Sequence, residues 1–177
     1  MDTYEFTLYI HGDLSDDETI GRLLAAGCDD ASFGGSGTDW GTADFYRVAH
    51  DLASAIASAI RDVESVEPLR VVAVQPTDLV TMSTIAERLG RTYESVRLLA
   101  AGQRGGGDFP RPADIPNIYG IKLWRWADVL AWSGQPDEEQ SQASALISAT
   151  NALLELRTIK GHVDDVQFKE LHQALGV

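Results

Sequence analysis

Tyr4, Phe6, Leu8 and Ile10 alternate with Glu5, Thr7, Tyr9 and His11, the two-residue period of a strand that buries one face. Ser15-Asp16-Asp17-Glu18 has the composition of a capping box. Ile20, Leu23 and Leu24 follow at helical spacing as far as Gly27, a natural stop. Residues 31–33 and 43–48 read as strands on either side of the Gly34-Gly35-Ser36-Gly37 loop. Asp51 is placed to cap a second helix with Leu52, Ile56, Ile60 and Val63 on one face, and 69–74 is an apolar run of strand length.

Strand, helix, strand, strand, helix, strand is the split β-α-β order of a ferredoxin-like domain, here predicted over 1–76 with Pro76 and Thr77 marking its end. A second domain is expected over 78–134 and, beyond Gln135-Pro136-Asp137, a C-terminal helical segment over 138–177. Its first helix, 138–160, repeats apolar positions at Ala143, Leu146, Ile147, Thr150, Leu153 and Leu154. Past Gly161, residues Val163, Val166, Phe168, Leu171 and Leu175 suggest a short final helix. The fold class is α+β.

Residues 81–99 read as two short helices about a turn. Ser83 can cap the first, whose Ile85, Ala86 and Leu89 face inward, and Gly90 permits the tight turn. Thr92 can cap the second, with Val96 and Leu99 packing back on the first. Arg91, Tyr93, Glu94, Ser95 and Arg97 are then left near its exposed N-terminal end, where a recognition helix meets base edges. Glu94 can accept from a cytosine amine in the groove or satisfy the helix N-terminus near Thr92, and the second is the favoured reading.

The run TMSTIAERLGRTYESVRLLAAGQRG, followed by FPRP and IKLWRWADVLAWSG, resembles the winged helix-turn-helix domains of the MerR and excisionase-like families of bacterial DNA-binding regulators. The resemblance covers about a third of the chain. It implies a hairpin wing over 109–123, a closing helix over 126–133 and binding to double-stranded DNA. Pro110, Pro112 and Pro116 cannot donate to a sheet ladder, so much of this wing is expected to be irregular. Arg91, Arg97 and Arg104 suit phosphate or guanine because a planar guanidinium binds either with two hydrogen bonds, while Thr92, Tyr93, Ser95 and Gln103 lie where base edges or backbone would be met. Arg111, Asn117, Tyr119 and Lys122 are candidates for phosphate or minor-groove contact on the wing. Arg125 can do the same or lie along a tryptophan face, and Trp124, Trp126 and Trp132 are expected in the core.

Charge sharpens this reading. The chain carries a net charge of −13, yet 81–127 holds seven Lys and Arg against four Asp and Glu, so that window is +3 and the remainder −16. Clustered guanidinium groups gain from counterion release at a phosphate backbone, while a pI near 4.5 disfavours non-specific adhesion to nucleic acid or anionic membrane. The lone Cys28 is expected as a small apolar side chain. Without a targeting pattern or an apolar run of about 20 residues, a soluble cytoplasmic protein is expected. His11, Asp13, Asp16 and Asp17 have no recognised metal-ligand spacing, nor do His162, Asp164, Asp165 and His172. The glycine loop lacks the Lys-Ser/Thr end of a phosphate-binding loop, and no nucleophile motif is present. No enzyme activity, cofactor or metal is therefore expected. The expectation is sequence-specific binding of double-stranded DNA by a bacterial transcriptional regulator or phage-type factor, as a homodimer formed through 138–160 or the N-terminal sheet. The alternative is a protein-interaction adaptor or inhibitor, whose acidic N-terminal domain engages a protein partner and whose winged domain no longer binds DNA.

Overall fold

The computed structural model describes residues 1–35, 39–75, 79–113 and 122–176. In chain order the elements are β1 (Asp2–His11), α1 (Asp17–Ala25), β2 (Ala31–Gly35), β3 (Trp40–Ala49), α2 (Leu52–Glu64), β4 (Arg70–Val74), β5 (Leu79–Val80), α3 (Met82–Arg88), α4 (Tyr93–Ala100), β6 (Trp124–Arg125), α5 (Trp126–Trp132), α6 (Glu138–Ile159) and α7 (Asp165–Leu175). The chain is α+β, and its contacts divide it into two units, one of 1–75 with 147–177 and the other of 76–146.

In the first unit an antiparallel sheet has the strand order β2-β3-β1-β4. The alternation that marks β1 sends Phe6, Leu8 and Ile10 into the core, where the directly opposed Phe6 and Phe45 stack with ring centroids 5.5 Å apart. Leu23 of α1 and Ala55, Ile56, Ala59 and Val63 of α2 complete this core. Asp51 caps α2 by accepting from the Ser54 amide, as its position predicts. The cap of α1 is Asp16, accepting from Thr19 N, rather than Ser15, whose amide and hydroxyl both donate to Asp13. Gly41 is required by close approach, since a Cβ there would run into the Leu14 side chain. Strand β2 takes in Gly34 and Gly35, and the rest of the glycine loop, 36–38, lies outside the described residues.

Among the described residues of this unit one charged side chain is buried. Arg47 follows Ala43 and Phe45 on the inward parity of β3 and is 6% exposed. Its guanidinium donates to both carboxylate oxygens of Asp30 (2.8 and 2.9 Å), to Asp62, to Ser58 Oγ (3.1 Å) and to the Gly27 carbonyl (2.6 Å), and it lies over the Phe45 ring. Five bonds match the five N–H groups of a guanidinium. The Asp30 carboxylate, as its foremost partner, raises the Arg47 pKa beyond the ordinary arginine value. Next to this group the buried Cys28 thiol is pushed up to about 11 by burial, so it packs as an apolar side chain.

The free edge of β4 is closed by side chains. A register shift against β1 leaves Val72 unpaired between Val71 and Ala73, so both Val71 and Val74 turn their main-chain groups away from β1. Val71 N donates to Glu64 Oε1, and Val71 O accepts from Arg157 Nη2, which itself pairs with Glu64. Val74 N donates to Asn151 Oδ1 and Val74 O accepts from Asn151 Nδ2. The Asn151 carboxamide thus stands in for the peptide group of an absent neighbouring strand. This changes the expected stripe of α6: Ser144, Ile147 and Leu154 are buried, whereas Leu153 is 66% exposed. Beside the apolar Ile147 and Leu154, the polar Asn151 and Arg157 of this helix meet the main-chain groups of β4.

The second unit is built on Val80, Ile85, Ala86, Val96, Trp124 and Val129, with β5 pairing antiparallel to β6 through Leu79↔Arg125 and Val80↔Trp124. Among the described residues no helix is long and apolar enough to cross a membrane.

Two outcomes test this account of the first unit. Arg47→Ala strands two carboxylates and a carbonyl, and is expected to cost about 3 kcal/mol in urea denaturation, with Arg47→Lys recovering only a minor part; a loss below about 1 kcal/mol contradicts the role given to the network. The Asp16 and Asp51 carboxyls are held below the usual carboxylate range, chiefly by hydrogen bonds from Thr19 and Ser54 respectively. A depressed folded pKa contributes stability that is complete above about pH 4 and is lost as pH falls through the folded value. Asp51→Asn keeps a capping oxygen without a titrating one, so its stability is expected to fall less than the parent's between about pH 5 and pH 2. Equal acid dependence of the two proteins counts against the cap.

Candidate nucleic-acid interface

Thr81 rather than Ser83 opens α3: its backbone is extended (ψ 164°) and its hydroxyl accepts from Thr84 N at 3.2 Å. Ser83 falls inside the first turn and is exposed. At the other end Gly90 N donates to Glu87 O and Arg91 N to Ala86 O, a Schellman closure that needs the left-handed φ of +60° found at Gly90. Two residues later Thr92 caps α4 by accepting from Ser95 N. Ile85 and Val96 are fully buried between the helices, with Ala86 and Leu99 nearly so. This packing leaves Arg91, Thr92, Tyr93, Glu94 and Arg97 exposed, whereas Ser95, expected beside them, is partly buried.

The guanidinium groups separate into two sets. Arg88 lies over the Trp126 ring at 5.0 Å and Arg91 over Trp132 at 5.7 Å, so two cation–π contacts brace the helix pair against α5. Arg125 donates to Ser144 Oγ at 3.1 Å. Arg88 is an outward cation that the sequence pattern gave no reason to single out, because its placement depends on the long-range position of Trp126. The second set lies on α4 and just after it. Arg104 donates to Ser95 Oγ at 3.3 Å. Arg97 makes two bonds to Glu94, at 2.8 and 2.7 Å, with both side chains about half exposed. Glu94 lies in the first turn of α4, at the helix N-terminus near Thr92, and it also pairs with Arg97. The pairing lowers the Glu94 pKa and raises that of Arg97, in each case mainly through the hydrogen bond to the other.

Of the other expected contacts, Gln103 and Arg111 are exposed on the segment that follows α4, and Lys122 is exposed just before β6. No strand is present over 109–113 or 122–123, although Ala113 N donates to Leu123 O and brings the two stretches together. Asn117 and Tyr119 lie outside the described residues, as does the middle of the expected wing. Trp124 is buried and donates from Nε1 to Pro110 O, while Trp132 donates to Asp108 and meets Phe109 edge-on at 4.9 Å. Trp126 packs against the same core, and all three tryptophans thus have structural neighbours. A cleft of about 500 Å³ lined by Glu64, Arg70, Val71, Val72, Arg157 and Thr158 belongs to the β4 edge and contains none of these residues. Among the described residues no group of three His, Cys, Asp or Glu is placed to hold a metal ion.

Comparison with protein-family models, with curated proteins and with solved structures finds no match to the chain.

The internal pairing yields a direct check. In an NMR titration the Glu94 carboxyl is expected to titrate below the usual glutamate range and to return toward it in Arg97→Ala; an unchanged Glu94 titration in that variant contradicts the pair.

Proposed function

We propose that the chain is a sequence-specific DNA-binding protein, a bacterial transcriptional regulator or phage-type factor, that sets α4 into the major groove of double-stranded DNA. In this reading 78–134 is a winged helix-turn-helix domain of the MerR and excisionase-like kind, with 109–123 as its wing, and 1–76 is a ferredoxin-like domain. The observation that carries the reading is the two-sidedness of α4. Val96 and Leu99 are buried on one side, while Tyr93, Arg97 and the Ser95-linked Arg104 stand outward on or just after the helix. The β-α-β-β-α-β order and the strand order β2-β3-β1-β4 support the ferredoxin-like assignment. A two-fold dimer would present two such helices to two half-sites. Since Ile147 and Leu154 of α6 are spent inside their own unit, the outer face of the sheet, with Trp40, Tyr46 and Val48 exposed, is a better patch for such a pair than the expected α6 stripe.

The Arg97–Glu94 pair favours a second reading, a protein-interaction adaptor, because it neutralises the central guanidinium of α4. The pair also separates the two. If Arg97 meets phosphate, Glu94→Gln releases it and strengthens binding to a mixed-sequence duplex, whereas Arg97→Ala and Arg104→Ala weaken it. With three phosphate contacts the affinity falls roughly 40-fold between 50 and 200 mM salt, and each lost arginine reduces the salt slope by about one. Fluorescence anisotropy across a salt series reads all of these. Affinity indifferent to both Glu94→Gln and Arg97→Ala removes α4 as the reading helix and leaves the adaptor.

A further inference from the structure

We propose that Glu94 and Arg97 act as one unit that reads guanine, with Glu94 holding the guanidinium by its side so that its far end meets a base edge. The inference rests on the DNA-binding reading above and names what α4 recognises. A guanidinium has two forked edges that suit bidentate contact, one between Nε and Nη2 and one between Nη1 and Nη2. Glu94 occupies the first, since Nε donates to Oε2 at 2.8 Å and Nη2 to Oε1 at 2.7 Å. Among the described residues Arg97 makes no other hydrogen bond, so both N–H groups of Nη1 and the second of Nη2 stay open. Their spacing of three residues puts Glu94 and Arg97 on one face of α4, and both side chains are exposed while Val96 and Leu99 are buried in the core. The pair lies in the N-terminal half of the helix, the part of a recognition helix that meets base edges.

Charge chooses the acceptor. Phosphate has the same sign as the Glu94 carboxylate, so docking Arg97 on the backbone would set two anions on one cation. The guanine edge instead offers O6 and N7, two acceptors without net charge that match a guanidinium fork. Adenine sets an amino donor beside its N7 and meets the same fork donor to donor. Holding the guanidinium by one edge also removes rotamer freedom that base contact would otherwise have to remove. Arg104 differs, because its bond is to the neutral Ser95 Oγ and its charge stays whole for the backbone. Glu94 is on this account a positioning residue and Arg97 the residue that touches the base.

Selection from a library of duplexes with a randomised centre tests this with the full chain, followed by fluorescence anisotropy on the enriched duplex and its single-base variants. Both side chains are about half exposed, so substitutions there leave the fold in place. The parent is expected to enrich a guanine whose replacement by adenine weakens binding about tenfold or more. Arg97→Lys keeps the charge without the fork, and is expected to lose that preference while preferences at other positions remain. Glu94→Gln leaves one acceptor in place of two. It is expected to bind a mixed-sequence duplex more tightly than the parent, yet to discriminate guanine from adenine only about threefold or less. A loss of helix stability alone would not move affinity and discrimination in opposite directions. A guanine preference unchanged in Arg97→Lys or in Glu94→Gln, with duplex binding intact, overturns the inference and leaves the DNA-binding reading standing. Enrichment by the parent of a site without such a guanine does the same. A parent that binds no duplex removes both.

Discussion

Arg47 places a positive charge behind the sheet and meets an acceptor with every N–H it has. A buried guanidinium left short of partners would cost several kcal/mol, so the segments that supply Gly27, Asp30, Ser58 and Asp62 are all constrained to converge on one residue of β3. Those segments are the connection between α1 and β2 and the body of α2. The network therefore fixes how both helices lie on the sheet, while the apolar packing of Phe6, Leu8, Phe45, Ala59 and Val63 is less directional.

The same logic separates the remaining cations of this acidic chain. Arg22 donates to the Glu67 carbonyl and Arg157 to Glu64 and Val71, so both hold the first unit together. Arg88 and Arg91 brace the helix pair on tryptophan faces while staying exposed. Arg104 leans on Ser95, and Arg97 is matched by a surface carboxylate. Exposed ion pairs of this kind contribute little to stability, so the Glu94–Arg97 pair is at most a weak structural brace.

Much of the fold can be read from the chain because its cues are local. The alternation of β1, the Asp51 and Thr92 caps and the left-handed Gly90 each depend on a few neighbouring residues, and each appears where the pattern places it. Where two capping residues stand close together, composition does not choose between them. Asp16 and Thr81 win over Ser15 and Ser83 because theirs are the extended backbones facing the first free amides. The outward face of α4 was legible for the same reason, as it follows from Val96 and Leu99 alone.

What was not legible depends on long-range partners. Arg47 shares the inward parity of Ala43 and Phe45, but its burial is tolerable only because Asp30 and Asp62 arrive from elsewhere. The polar residues on the inner face of α6 hid part of its docking, since Asn151 and Arg157 look like solvent-facing residues until the β4 edge is set beside them. The most direct test of the central claim is to map backbone amide shifts by NMR while a mixed-sequence duplex is added. Shifts concentrated at Arg91, Tyr93, Ser95, Arg97 and Arg104, with the sheet unaffected, are the expected result. Shifts absent from α4, or confined to 1–75, contradict it.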